Sequence, residues 1–315
     1  DFGATLVSVL FADKDGVMKD MVLGYDDAAS YEKGTSCFGA TIGRNGNRIK
    51  DARFTIDGKE WVIEANENNN SLHSGKNGFN HLMWEMKESG DNYVTFYHYS
   101  PQEEQGFPGN MHVTVTYTLD DEDTVHITYH AKADADTVMN FTNHSYFNLA
   151  GHDSGVMLDQ KLQLFADAYT PDEDSHSIPT GEIAPVAGTP MDFTTMKPIG
   201  QDINADFEQL HFTGGYDHNY VLSDKPGTMR QMAKAECDAS GIAMDAYTEC
   251  CGVQLYAGNF IGTQTGKGGV TYGDRHGFCL ESQFYPNAVN ENFPSPVVPA
   301  DTEYHSETKY HFYHI

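Results

Sequence analysis

Apolar and polar residues alternate one for one along much of this chain. Val113, Val115, Tyr117 and Leu119 alternate with His112, Thr114, Thr116 and Thr118. After the acidic run 120–123, Val125, Ile127 and Tyr129 alternate with His126, Thr128 and His130. Successive strand side chains point to opposite faces, so two such runs around a short polar break predict an antiparallel hairpin with one buried face. Phe54 and Ile56, then Asp57-Gly58, then 61–63 predict a second, because Asp-Gly suits a turn needing φ > 0 at both central residues. Further strands are expected over 5–10, 93–99, 161–166, 253–257, 278–284 and 304–312, and one short helix over 203–210. Glycines and prolines punctuate these runs throughout, with no linker-like break, repeat or low-complexity tract. The pattern predicts an all-β fold, a large antiparallel β-sandwich, with residues 1–315 in a single domain.

Charge narrows the function. Nineteen Lys and Arg stand against 46 Asp and Glu, a formal charge of −27. Nucleic acid and anionic membrane surfaces need clustered basic residues, so neither is an expected partner. At 39% apolar and 12% aromatic the chain can build a sizeable core. No stretch approaches the roughly 18 apolar residues of a membrane span. The five cysteines, Cys37, Cys237, Cys250, Cys251 and Cys279, form neither a disulfide framework nor a Cys-x-x-Cys zinc pair. Adjacent Cys250 and Cys251 are expected as free thiols on opposite faces of a strand. A cytoplasmic setting is the expectation, with an upstream export signal left open by the start at Asp1 without Met.

Familiar catalytic motifs are missing. His126 and His130 sit four apart, as helical zinc ligands do, but on an alternating strand that separation exceeds ~13 Å, so both read as surface residues. Gly266-Lys267-Gly268-Gly269 lacks phosphate-loop spacing and reads as a turn, and no Gly-x-Ser-x-Gly elbow occurs. The acidic run 120–123 reads as a solvated turn.

Five polar clusters remain: Gly43-Arg44-Asn45-Gly46-Asn47-Arg48-Ile49, Asn70-Ser71-Leu72-His73, Asn143-His144-Ser145-Tyr146-Phe147-Asn148, Gly215-Tyr216-Asp217-His218-Asn219 and Leu280-Glu281-Ser282-Gln283. Each holds an acid–base group or a charged hydrogen-bonder, several beside aromatics. That mixture suits a sugar, whose hydroxyls want hydrogen bonds while its C–H faces want apolar contact. Strand spacing puts Cys279, Glu281 and Gln283 on one face and Phe278, Leu280 and Phe284 on the other. A carboxylate opposite an apolar face points at solvent or into a polar cavity, and spacing leaves both open.

In this order and at these separations the clusters resemble the aldose 1-epimerase, or galactose mutarotase, family. The resemblance extends through Val22-Leu23-Gly24-Tyr25-Asp26, Gly78-Phe79, Gly106-Phe107-Pro108-Gly109, Ile178-Pro179-Thr180-Gly181-Glu182, 252–260 and 277–290, nearly the whole chain. Departures are Ser74 and Gly46, where the family usually has Gly and Ala, and Ser282, where Thr is common. The family also usually has further residues before Gly3-Ala4-Thr5, so a first strand is expected to be missing.

The resemblance implies a mutarotase-like β-supersandwich and a cofactor-independent, metal-free isomerase. It would interconvert the α and β anomers of free hexoses such as galactose and glucose, as a monomer or homodimer. Glu281 matches the general base and His144 the general acid, whose ordinary pKa near 6.5 suits proton transfer in both directions. Asn47, Arg48, His73, Asp217 and Gln254 match substrate-binding positions, and Arg44 is left as structural. A hexose phosphate would need more basic groups than Arg48 alone. A non-catalytic sugar-binding module, or a glycoside hydrolase using Glu281 and Asp217, stays open as an alternative.

Overall fold

In the computed structural model, which describes residues 1–315, most strands gather into two large antiparallel sheets, with six two-stranded ones beside them. The larger has nine strands, in the order Lys197–Pro198, Lys161–Leu164, Arg230–Cys237, Ile242–Thr248, Tyr304–His314, Thr124–Ala133, Met111–Leu119, Tyr93–Ser100 and Glu85–Ser89. The smaller has five: Ala184–Pro185, Ala168–Tyr169, Asp217–Val221, Gly252–Tyr256 and Cys279–Gln283. Both predicted hairpins form. Val115 pairs with Tyr129, and Phe54 with Trp61 across a turn whose Asp57 and Gly58 have φ of 51° and 76°.

One apolar cluster joins the inward faces of both sheets, Val113, Val115, Ile127 and Tyr129 from one and Tyr220, Val253, Leu255 and Leu280 from the other. Burying each such side chain contributes about 1.5–3 kcal/mol. Polar contacts stitch the layers as well: Tyr310 donates to the Leu280 carbonyl at 2.9 Å, and the hydroxyls of Ser282 and Thr308 meet at 2.6 Å. With Leu280 and Ser282 facing the large sheet, Glu281 and Gln283 must face away from it. That side of the small sheet carries the site.

Several expectations need correction. Of the strand expected over 5–10, only Leu10 is paired, in Leu10–Ala12 against Met18–Asp20. Upstream, backbone groups of the segment go to other partners: Leu6 N–H to Gly39, Val9 N–H to the Asp20 carboxylate, and the Val7 carbonyl to Lys267. The helix near 203–210 lies later, at Glu208–Thr213, and stops at Gly214 with φ 62°. A second helix, Ala28–Lys33, starts where Asp27 caps the Ser30 N–H at 2.9 Å. Cys250 and Cys251 are free and buried, but they sit in a bend rather than on a strand. The chain crosses there from the nine-stranded to the five-stranded sheet, which breaks the alternation. His126 lies on the outer surface between Asp120 and Glu307, and His130 is exposed, as the spacing predicted. No helix is long and apolar enough to cross a membrane.

Candidate active site

The outward face of the small sheet supplies a floor of polar side chains. Strand pairing sets Asn219 beside Gln254 and Gln254 beside Glu281. Their amides interlock. Gln283 donates to Gln254 at 3.0 Å and to Asn219 at 3.1 Å, and Gln254 donates to Asp217 at 2.7 Å. Loops of the first half of the chain, with 144–146, wall a cavity of about 510 Å³ over this floor, within the ~300–1,000 Å³ usual for small-molecule sites.

Asn47 ties wall to floor. At φ 61° it turns its backbone N–H onto His73 Nδ1 (3.1 Å), while its side chain donates to Gln283 (3.3 Å) and accepts from the Arg48 N–H (2.8 Å). A neutral imidazole that accepts at Nδ1 carries its proton on Nε2, so His73 is fixed as a donor there. Ser74 holds φ 68° by exchanging two hydrogen bonds with the Asn45 backbone.

His144 and Glu281 stand in the same cavity. His144 Nε2 lies 3.6 Å from Glu281 Oε2, and its Nδ1 lies 3.6 Å from the Cys279 thiol. His73 meets His144 edge to face with ring centres 5.3 Å apart. Glu281 is 2% exposed, and its Oε2 has no hydrogen-bond partner in the protein. Burial pushes Glu281 well above the ordinary carboxylate value, with Asp217 adding to the rise and Arg48 opposing it. Burial also lowers His144 to about 4. Burial thus shifts the two groups in opposite senses, favouring a proton on Glu281 over one on His144.

Six of the seven residues singled out in the sequence line the cavity: His144, Glu281, Asn47, Arg48, His73 and Asp217. Gln254 does not. It lies beneath, 3% exposed, with its amide spent on Asp217 and Gln283. Arg44 is fully buried elsewhere, donating to Ser100 and to the carbonyls of Ser100, Pro101 and Pro108. Arg44→Met would strand those acceptors and should lower stability by roughly 2–5 kcal/mol while sugar affinity holds, as denaturant titration and binding can check.

Sequence reasoning missed Glu67. Its carboxylate takes Arg48 Nε at 2.5 Å and Nη2 at 3.0 Å, a fork that orients the guanidinium and leaves Nη1 outside the pair. The acidic and amide-rich run around it, 64–70, was the available signal, but nothing in the run points to Arg48.

His73, His144 and Glu281 each bring a potential metal-ligand atom within 4.8 Å of the others, a grouping hidden by their wide separation in sequence. The donor set does not fit a cation, because His73 Nδ1 already accepts a backbone N–H and its Nε2 then bears the proton.

Burial of these imidazoles has a pH consequence. The unfolded chain protonates histidine near ~6.5, whereas folded His144 stays neutral down to about 4. Counted for this imidazole, the unfolded state binds more protons in that window, so His144 contributes stability that is lost as pH falls through it, while the raised Glu281 opposes this. His144→Gln should make the slope shallower, measured by denaturation at several pH values between those limits.

Comparison with known proteins gives the family. Residues 1–311 match the family model described as aldose 1-epimerase. The galactose mutarotase of Rattus norvegicus is 40% identical over 313 residues, 99% of this chain and 89% of its own length. The aldose 1-epimerase of Escherichia coli strain K12 is 36% identical over 315 residues, 99% and 90% of the two chains. Among solved structures, an aldose epimerase homologue from C. elegans superposes with a TM-score of 0.91 at 30% identity, over 100% of this chain and 94% of its own. A galactose 1-epimerase from Lactobacillus acidophilus gives 0.85 at 26% identity, over 99% and 89%. Similarity that runs from end to end, in sequence as in fold, has one reading: the chain belongs to the aldose 1-epimerase family.

Proposed function

We propose that Glu281 and His144 move the two protons by which this aldose 1-epimerase interconverts the α and β anomers of a free hexose, galactose or glucose. Glu281 takes the proton from the anomeric hydroxyl as His144 gives its Nε2 proton to the ring oxygen. The C1–O5 bond breaks and the C1=O1 bond forms, leaving the open-chain aldehyde. Rotation about C1–C2 turns the carbonyl over. His144 then takes the proton back from the 5-hydroxyl as that oxygen attacks C1, and Glu281 returns its proton to O1. Atoms and charge balance over the cycle, and each group acts once as acid and once as base.

The observation that carries this reading is the 3.6 Å approach of His144 to Glu281 on the floor of a polar cavity. Moving the shared proton from Glu281 to His144 readies the pair without changing its net charge. His73 Nε2–H adds a donor near the ring oxygen, while Asn47, Arg48 and Asp217 hold hydroxyls and Gln254 acts through Asp217. Because the cavity gathers residues from 35 to 281, residues 1–315 act as one functional domain. Five free thiols support a reducing, cytoplasmic setting.

Polarimetry on freshly dissolved α-galactose tests the activity. The optical drift should accelerate to the same end point, with chromatography showing galactose alone. Bond cleavage in a galactoside would instead point to a hydrolase, and an unchanged drift to a binding module.

A further inference from the structure

Beside Asp217 lies a pair of side chains that these proton transfers do not use. His218 is 1% exposed and does not reach the cavity. The neighbouring strand, Ala168–Tyr169, ends before it reaches Asp217, so the Asp217 N–H goes instead to His218 Nδ1, at 3.2 Å. Accepting at Nδ1 puts the imidazole proton on Nε2. That atom faces Asp172 Oδ2 at 3.8 Å, and both are buried without a hydrogen-bond partner in the protein. Buried polar atoms left unmatched are costly, so the two belong together.

Asp172 is itself firmly anchored. Gln209, on the helix Glu208–Thr213, accepts its backbone N–H at 2.7 Å and donates to its carbonyl at 3.0 Å. Asp172 also pairs with Pro179, which closes the loop between them.

We infer that Asp172 and His218 form a buried positioning dyad that fixes the backbone at Asp217 and so aims its carboxylate at the sugar hydroxyls. The inference rests on the reading of Asp217 as a hydroxyl-binding residue. Burial makes the dyad electrically quiet at neutral pH. It lowers His218 to about 3 and raises Asp172 to about 8, the charge of Asp217 adding to the second shift and Arg48 opposing it. An uncharged dyad holds Asp217 without setting a second carboxylate in competition for Arg48.

The test compares galactose KM and kcat in five variants of the full chain. Asp172→Ala and His218→Leu remove the contact. Asp172→Asn and His218→Gln keep an acceptor at position 172 and, at position 218, both an acceptor and a donor. Asp217→Asn reports on the underlying reading. Losing this contact is expected to raise KM about tenfold, with kcat falling by less than about threefold, and the two conservative variants should stay within about threefold of wild type. A raised KM in Asp217→Asn with unchanged KM in both Asp172→Ala and His218→Leu overturns the dyad alone. An unchanged KM in Asp217→Asn overturns the reading beneath it. Should a dyad variant fail to fold, nitrogen-15 NMR of the wild-type protein decides: the Nε2–H tautomer at His218 supports the dyad, and the Nδ1–H tautomer overturns it.

Discussion

Glu281→Gln should slow anomer interconversion by about 10²–10⁴-fold while sugar affinity stays within a few-fold of wild type. Glutamine keeps the size of the side chain and can still hydrogen-bond the anomeric hydroxyl, but it has no basic oxygen to take the proton. A loss of that size is roughly 3–5 kcal/mol of barrier, with little of it in ground-state binding. Asp217→Asn should behave differently, weakening affinity together with turnover, because the proposed role of Asp217 is to hold hydroxyls in both states. Turnover and equilibrium sugar binding, measured side by side on the two variants, separate a proton acceptor from a binding group. Near-normal turnover in Glu281→Gln would move the base to another residue.

His144→Ala should cost a comparable factor, about 10²–10⁴ in turnover, whereas His126→Ala and His130→Ala should leave it near normal. The contrast comes from position. His144 sits 3.6 Å from Glu281, while His126 is engaged on the outer surface by Asp120 and Glu307. The pH profile follows from the shared proton. The working pair holds one proton between two groups, so activity is lost at low pH when a second proton binds and at high pH when the last one leaves. With His144 lowered to about 4 by burial, the acid-side loss should lie far below the ordinary histidine range. Equal losses in all three histidine variants would contradict the assignment.

How legible these features were in the chain depended on range. Alternation is local, so the hairpin of Met111–Leu119 with Thr124–Ala133 and the shared face of Glu281 and Gln283 could be read directly. The cap at Asp27 was equally local, and the helix it starts was overlooked rather than hidden. Which way the Glu281 face points was not legible, because that depends on Leu280 and Ser282 meeting Tyr310 and Thr308 of the distant last strand. Long-range pairing also hid the Glu67 fork on Arg48, the sheet crossing at Cys250 and Cys251, and the role of Gln254 beneath Asp217. The perturbed acid–base pair belongs to the same class, since burial that lowers His144 and raises Glu281 exists only after the walls close over the floor. Spacing could name the groups. It could not show that they lie 3.6 Å apart.

The central claim is that Glu281 and His144 act as one proton-transferring unit. Its most direct test is the rate of galactose anomer exchange in wild type, Glu281→Gln, His144→Gln and the double variant. Groups that work in the same transition state lose their effect together, so the double variant should be about as slow as the slower single variant. Losses that multiply, with the double variant slower by the product of the two factors, would show that the residues act independently and contradict the account.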